Sequence, residues 1–183
     1  FGFGVSYCST CDGYMYKGKK AAVVGGGNTA LTDALHLKNL GVDVTVIHRR
    51  DTFRAQQYLQ DSVARENIPI LYDTVVEEIS GEDGRVTSLK LKSTKDDTLS
   101  ELPVDCLFVA VGLKPNTELA SDLGVTLTSE GYIQVDRSMR TNIPRIYAAG
   151  DVTGGVQQIV TAVGEGSTAA LSGFEDIAHP YWK

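Results

Sequence analysis

Lys20-Ala21-Ala22-Val23-Val24-Gly25-Gly26-Gly27-Asn28-Thr29-Ala30-Leu31 is the stretch that decides the fold. Its opening is a short apolar run that ends in three glycines, the pattern of a buried strand entering a tight turn. From Thr29 to Leu40, apolar residues recur at Ala30, Leu31, Ala34, Leu35, Leu37 and Leu40. That is the stripe of a helix, with Gly41 placed as its C-cap. Val42 to Ile47 returns to a strand pattern. The glycines therefore take the form G-x-G-x-x-A, with Gly25, Gly27 and Ala30 at the fixed positions. The first glycine permits the tight turn, Gly27 lets the backbone approach a pyrophosphate, and the small Ala30 lets helix and strand pack. The helix start at Asn28 and Thr29 offers free N–H groups and a partial positive charge to phosphates. A bare glycine motif also fits an ordinary strand–helix turn. The strand before it, the helix after it and the second strand beyond favour dinucleotide binding.

Working outward, Arg54 to Asn67 reads as a helix, with Ala55, Tyr58, Leu59 and Val63 on one side. Ile68 to Leu71 reads as a third strand. Thr74 to Ser80 and Arg85 to Ser93 alternate apolar and polar residues about Gly81-Glu82-Asp83-Gly84, which predicts a hairpin. Leu99 to Pro103 adds a third antiparallel strand. Cys106 to Val111 is apolar throughout and is expected to rejoin the parallel sheet. The expected fold is α/β: a Rossmann-like domain over residues 1–112, with a parallel sheet and a β-meander. Gly112 to Thr117 is a turn-rich link. Beyond it, Gly131 to Val135 and Arg145 to Ala149 read as strands and Gln157 to Ala178 as largely helical. Residues 113–183 hold too few elements for a whole domain and are expected to be the C-terminal part of a second one.

The 183 residues are 42% hydrophobic and 22% charged, a globular composition. No stretch approaches the ~18 apolar residues of a membrane helix, so no membrane partner is expected. Lys plus Arg number 17 against 23 Asp plus Glu, a net charge of −6. So acidic a chain is a poor binder of nucleic acid, which needs a basic face. The chain opens at Phe1 without Met or a signal-peptide pattern, and is expected to be a piece of a longer polypeptide. Three Cys, an odd number, do not suit a secreted disulfide framework.

Three further motifs bear chemistry. His48-Arg49-Arg50-Asp51-Thr52-Phe53-Arg54 ends the second predicted strand, where an NAD-binding domain places an acid about 20 residues after its glycines. Here His48, Arg49 and Arg50 stand instead, suiting the 2′-phosphate of NADPH over the free hydroxyl of NADH. A solvated basic loop is the plainer alternative; Asp51 weakens the field, and Arg54 also fits a simple helix start. Cys8-Ser9-Thr10-Cys11-Asp12 is a C-x-x-C, whose spacing lets two thiols close a small ring. Zinc would need two more ligands, while His36, His48 and His179 are scattered, so no metal is expected. A structural disulfide remains open, and a redox-active dithiol is favoured. Asp12 is a candidate proton donor or acceptor for thiol exchange, or simply a turn or helix cap. Cys106, inside an apolar strand, is expected to be a buried inert thiol. Last, Tyr147-Ala148-Ala149-Gly150-Asp151-Val152 puts small residues and an acid at a strand end, suited to a sugar or polyol hydroxyl. Gln157 to Gly164 follows it with a glycine inside a helical pattern.

In this order, Cys-Ser-Thr-Cys-Asp-Gly, Val-Val-Gly-Gly-Gly-Asn-Thr-Ala, His-Arg-Arg-Asp-Thr-Phe-Arg-Ala, Phe-Val-Ala-Val-Gly and Tyr-Ala-Ala-Gly-Asp-Val resemble the low-molecular-weight thioredoxin reductases over essentially the whole chain. The resemblance implies an NADPH domain that carries the C-x-x-C, inserted in an FAD domain whose first segment lies upstream. It implies that Cys11 faces the flavin, Cys8 attacks the thioredoxin disulfide and Asp12 shuttles the proton. Gly25, Gly27, Asn28, Thr29 and Ala30 would cradle the NADPH pyrophosphate; His48, Arg49, Arg50 and Arg54 would hold the 2′-phosphate. Gly150 and Asp151 would bind the ribityl or phosphate end of FAD, with Gln158 and Ile159 near its ring. The implied reaction passes hydride from NADPH to FAD, then electrons to the Cys8–Cys11 disulfide, then to thioredoxin or a thioredoxin-like protein by thiol exchange. A cytoplasmic enzyme, homodimeric at full length, is implied, with hinges near Gly112 to Pro115 and at or before Phe1.

Two rivals accompany this reading. One is a related flavoprotein disulfide reductase that takes another donor or serves a peroxiredoxin-type partner. The other is a non-catalytic NADP(H)-binding module, and the chain by itself is expected to hold FAD poorly and to be inactive alone.

Overall fold

The computed structural model describes residues 3–178; the hinge expected at or before Phe1 and His179 lie outside them. The chain divides between Gly112 and Leu113 into two units.

The first unit opens with β1 (Val5–Ser6), α1 (Ser9–Asp12) and a 3-10 turn (Gly13–Tyr16). Then follow β2 (Lys20–Gly25), α2 (Asn28–Asn39), β3 (Asp43–Ile47), α3 (Gln57–Arg65) and β4 (Ile70–Leu71). β5 (Thr74–Glu82), β6 (Arg85–Ser93), β7 (Leu99–Pro103) and β8 (Cys106–Ala110) complete it. A parallel sheet runs in the order β1-β8-β2-β3-β4, and β5-β6-β7 form a separate antiparallel meander. This is the α/β architecture that the sequence predicts.

Burial follows the strand period of two. Ala21, Val23, Val44, Val46, Cys106 and Phe108 turn to one face, where Leu31, Ala34 and Leu37 of α2 and Val63 of α3 meet them. Ala22, Ile47 and Leu107 turn to the other, against Val86, Leu89 and Leu91 of the meander. Strands covered on both faces need apolar residues at every position, which is why β2 and β8 read as unbroken runs. α2 ends in a Schellman motif: Gly41 at φ +82° donates to the Lys38 carbonyl and Val42 to the Leu37 carbonyl.

The third helix starts at Gln57, not at Arg54. Arg54 and Ala55 donate their backbone N–H to the Gly26 carbonyl, and Gln56 donates to Asn28 Oδ1, so a loop tied to the glycines replaces the expected first turn.

In the second unit, α4 (Glu118–Asp122), a 3-10 turn (Gly150–Thr153) and α5 (Ile159–Ala178) are the helical elements. The two strands expected there are reduced to single bridges, Leu127 with Ile133 and Arg140 with Tyr147. Arg140 grips Asp176 of α5 through Nε and Nη2 at 2.9 and 3.1 Å, and the Tyr147 hydroxyl donates to the same carboxylate at 2.6 Å. Val125 and Ile133 are the buried hydrophobic residues of this unit among those described. α5 leaves Ile159, Val160, Val163, Leu171, Phe174 and Ile177 exposed. Among the described residues, no helix is long and apolar enough to cross a membrane.

Candidate active site

Three places in the structure hold the residues that the sequence singled out. The first is a cavity of about 390 Å³ at the C-terminal ends of β2, β3 and β8, walled by Gly25 to Gly27, Thr29, His48 to Arg50, Arg54 and Gly112. Open parallel sheets bind ligands at this edge. Gly25 sits at φ +154°, and a Cβ there would collide with the Ala110 carbonyl oxygen and reach 2.8 Å from Ala30 Cβ. Its glycine is demanded by the fold. Gly27 differs: its φ of −98° is open to any residue, and nothing lies within 4 Å of a Cβ built on it. No internal contact asks for a glycine there, whereas close approach of a ligand backbone or phosphate would. Beyond it, the first N–H groups of α2, at Asn28, Thr29 and Ala30, have no partner within the helix.

Arg49, Arg50 and Arg54 are exposed, and none of the six ion pairs among the described residues includes them. Three uncompensated guanidinium groups beside a glycine loop suit a phosphate dianion. Asp51 does not pair with any of them. His48 is buried. Its Nε2 shares a hydrogen bond with the Thr52 carbonyl oxygen at 2.9 Å, and its ring packs 5.0 Å from Phe53. The imidazole thus supports the loop that carries the arginines while still lining the cavity.

The second place is the C-x-x-C. Cys8 and Cys11 are joined as a disulfide across α1. Cys11 is exposed and Cys8 half-buried. Cys8 is the N-cap of α1; its Sγ accepts from the Cys11 N–H at 3.2 Å and lies 3.3 Å from Thr10 Oγ1. Both contacts are of the kind that stabilise a thiolate. Ser6, buried at the end of β1, donates from Oγ to Asp12 Oδ2 at 2.6 Å and accepts from the Cys8 N–H at 3.1 Å. Asp12 makes no side-chain cap bond to the 3-10 turn that follows, so of its two expected roles the cap is not seen. Cys106 is fully buried, and burial pushes its thiol up to about 12, with the Asp105 charge adding to the shift.

The third place lies in the second unit. Gly150, at φ +79°, donates its N–H to Glu165 Oε2 at 2.7 Å, and Thr153 Oγ1 lies 3.3 Å from the same oxygen. Asp151 is exposed, and its carboxylate enters no hydrogen bond or ion pair among the described residues. Gln158 and Ile159 are exposed at the start of α5.

Ser6, Ser9, Thr10, Asp33 and Glu165 were not singled out from the sequence. The contacts of Ser9 with Asp33 and of Glu165 with Gly150 join residues far apart in the chain, and no local spacing marks them.

A profile of the pyridine nucleotide-disulphide oxidoreductase family matches residues 1–166. A thioredoxin reductase of Listeria innocua is 48% identical over 170 residues, covering 92% of this chain and 53% of the relative. One of Bacillus subtilis is 41% identical over 173 residues, covering 93% and 54%. Among solved structures, thioredoxin reductase from Streptococcus pyogenes superposes with a TM-score of 0.85 at 39% identity, covering 96% of this chain and 57% of that one. The chain spans about half the length of the curated relatives it matches.

Proposed function

Since this chain belongs to the pyridine nucleotide-disulphide oxidoreductase family, we propose that it carries the NADPH site and the redox disulfide of a thioredoxin-disulfide reductase. The net reaction oxidises NADPH, takes up one proton and converts a thioredoxin disulfide to two thiols. The observation that carries this reading is one unit holding both a C-x-x-C disulfide and a glycine-loop cavity ringed by unpaired arginines.

In this reading residues 1–112 are the NADPH domain. Gly25, Gly27 and the N–H groups of Asn28, Thr29 and Ala30 receive the pyrophosphate. Arg49, Arg50 and Arg54 hold the 2′-phosphate, with His48 beneath them. Residues 113–183 belong to an FAD domain, in which Gly150, Asp151, Gln158 and Ile159 contribute to the flavin site. FAD, when bound, supplies the two-electron relay between nicotinamide and disulfide. Once the disulfide is reduced, Cys8 is the attacking thiolate, stabilised by the Cys11 N–H and the Thr10 hydroxyl. Cys11 is the partner that resolves the mixed disulfide and faces the flavin. Asp12, held by Ser6, takes and returns the proton. A cytoplasmic location and a homodimer at full length belong to the same reading.

The exposed apolar row on α5 and the sparse core of the second unit favour a second reading for the chain acting alone, an NADP(H)-binding module without turnover.

The test needs no flavin. The 183-residue chain, reduced and freed of reductant, is mixed with oxidised thioredoxin, and thiols are counted on both proteins. Two thiols lost from the chain and two gained by thioredoxin are expected. No exchange at equal concentrations would remove the proposal.

A further inference from the structure

The redox turn is anchored on the helix that begins at the nucleotide loop. Ser9, between the two cysteines, is 2% exposed and donates from Oγ to Asp33 Oδ1 at 2.5 Å. Asp33 lies on α2, just past the first-turn residues Asn28 to Ala30. On the far side of the disulfide, a Cβ on Gly13 would come within 2.8 Å of Leu37 Cδ2 and 3.0 Å of Leu40 Cδ1, so the backbone there also rests on α2 and its C-cap. One helical segment thus holds the turn inside the Cys8–Cys11 ring, at Ser9, and just past it, at Gly13. The Gly13 anchor is apolar and shape-dependent; the Ser9 anchor is one directed hydrogen bond. Burial raises the Asp33 carboxyl, while the Ser9 bond and the charge of His36 oppose that rise. The carboxylate therefore depends on Ser9 for its solvation, and the buried Ser9 hydroxyl depends on the carboxylate.

We propose that Asp33 is a positioning residue for the Cys8–Cys11 pair, holding the turn through Ser9 in the conformation that closes the disulfide. The inference rests on the reading of that pair as redox-active. When the sulfur–sulfur bond opens, the turn and its anchors are what keep one thiol beside the other. An anchor that keeps the opened thiols side by side raises the effective concentration of one for the other and so favours the disulfide.

The experiment is a redox equilibrium of the whole 183-residue chain with dithiothreitol. The Cys8–Cys11 bond breaks and gains two electrons and two protons; dithiothreitol loses two of each and closes to its cyclic disulfide. Thiols are counted across a range of reduced to oxidised dithiothreitol, with Cys106 as a constant background. Ser9→Ala and Asp33→Ala should each shift the equilibrium about three- to tenfold toward the dithiol, the size of one hydrogen bond. The double variant should shift no further than the larger single one, because both act through the same bond. Asp33→Asn, which keeps an acceptor at Oδ1, should stay within about twofold of the unmodified chain. Should Asp33→Ala not fold, Ser9→Ala, which only removes a hydroxyl, decides the matter with Asp33→Asn. Unshifted constants in the alanine variants, additive shifts, or an Asp33→Asn shift as large as that of Asp33→Ala would overturn the inference. A disulfide in the unmodified chain that dithiothreitol cannot reduce would instead remove the redox reading on which it rests.

Discussion

The backbone of Gly26 lies against the imidazole of His48, so that a Cβ on Gly26 would overlap the ring and sit 2.7 Å from Nε2. The same residue's carbonyl oxygen accepts from the Arg54 and Ala55 N–H groups. The middle glycine, which the G-x-G-x-x-A pattern leaves free, is therefore the joint between the phosphate loop and the arginine loop. Gly26→Ala should force the two loops apart, destabilise the first unit by about 1–3 kcal/mol and weaken NADPH at least about tenfold. Urea unfolding and fluorescence titration measure the two effects, and unchanged binding would show that the joint is not needed.

The arginines should discriminate between cofactors. Arg49→Ala combined with Arg50→Ala removes charge-assisted hydrogen bonds to a 2′-phosphate, each worth about 1.5–3 kcal/mol. NADPH affinity of the chain should fall at least about tenfold for each bond lost, while NADH affinity changes little. Equal losses for the two nucleotides, read by calorimetry, would reject the 2′-phosphate assignment.

Thiolate formation at Cys8 should depend on its neighbour. Thr10→Val removes the hydroxyl that lies 3.3 Å from Cys8 Sγ. The reduced chain should then alkylate more slowly at Cys8 near neutral pH, by about fivefold for the loss of one hydrogen bond of ~1 kcal/mol. The pH profile of Cys8 alkylation should move to higher pH, and an unmoved profile would exclude Thr10 from the reaction.

Cys106 should be silent in the folded chain and should leave a mark on its alkaline stability. Its thiol is raised by burial from 9.0 to about 12, so the fold favours the protonated form. That contribution is complete below pH 9 and is lost as the pH climbs from 9 toward 12. Urea midpoints should fall more steeply over this range in the unmodified chain than in Cys106→Ala. Iodoacetamide should label Cys106 only after denaturation, and labelling of the native chain would contradict its burial.

The chain purified by itself should carry little FAD. The Gly150 N–H is already engaged by Glu165, and α5 leaves the expected flavin residue Ile159 and its neighbour Val160 exposed. Stoichiometric flavin absorbance would reverse this expectation.

Much of the first unit was legible because its signals are local. The apolar run before Gly25, the stripe through Leu37 and the alternation about Gly81 to Gly84 each arise from one element's own period, and each element stands within two residues of its expected bounds. The start of the third helix was not legible, since Gly26 and Asn28 capture the backbone of Arg54 to Gln56. Nor were two strands in the second unit: a strand pattern becomes a strand only beside a partner, and residues 131–135 and 145–149 find a single bridge each.

By itself the sequence determined the order of strands and helices from β2 to β8, the glycine turn and the presence of two thiols three residues apart, because periodicity and spacing act within a few residues of each other. Tertiary structure alone decided that Ser6 holds Asp12, that Ser9 reaches Asp33 and that His48 lies under Gly26. Those pairings join separate elements, and their partners are set by how strands and helices stack rather than by any pattern along the chain.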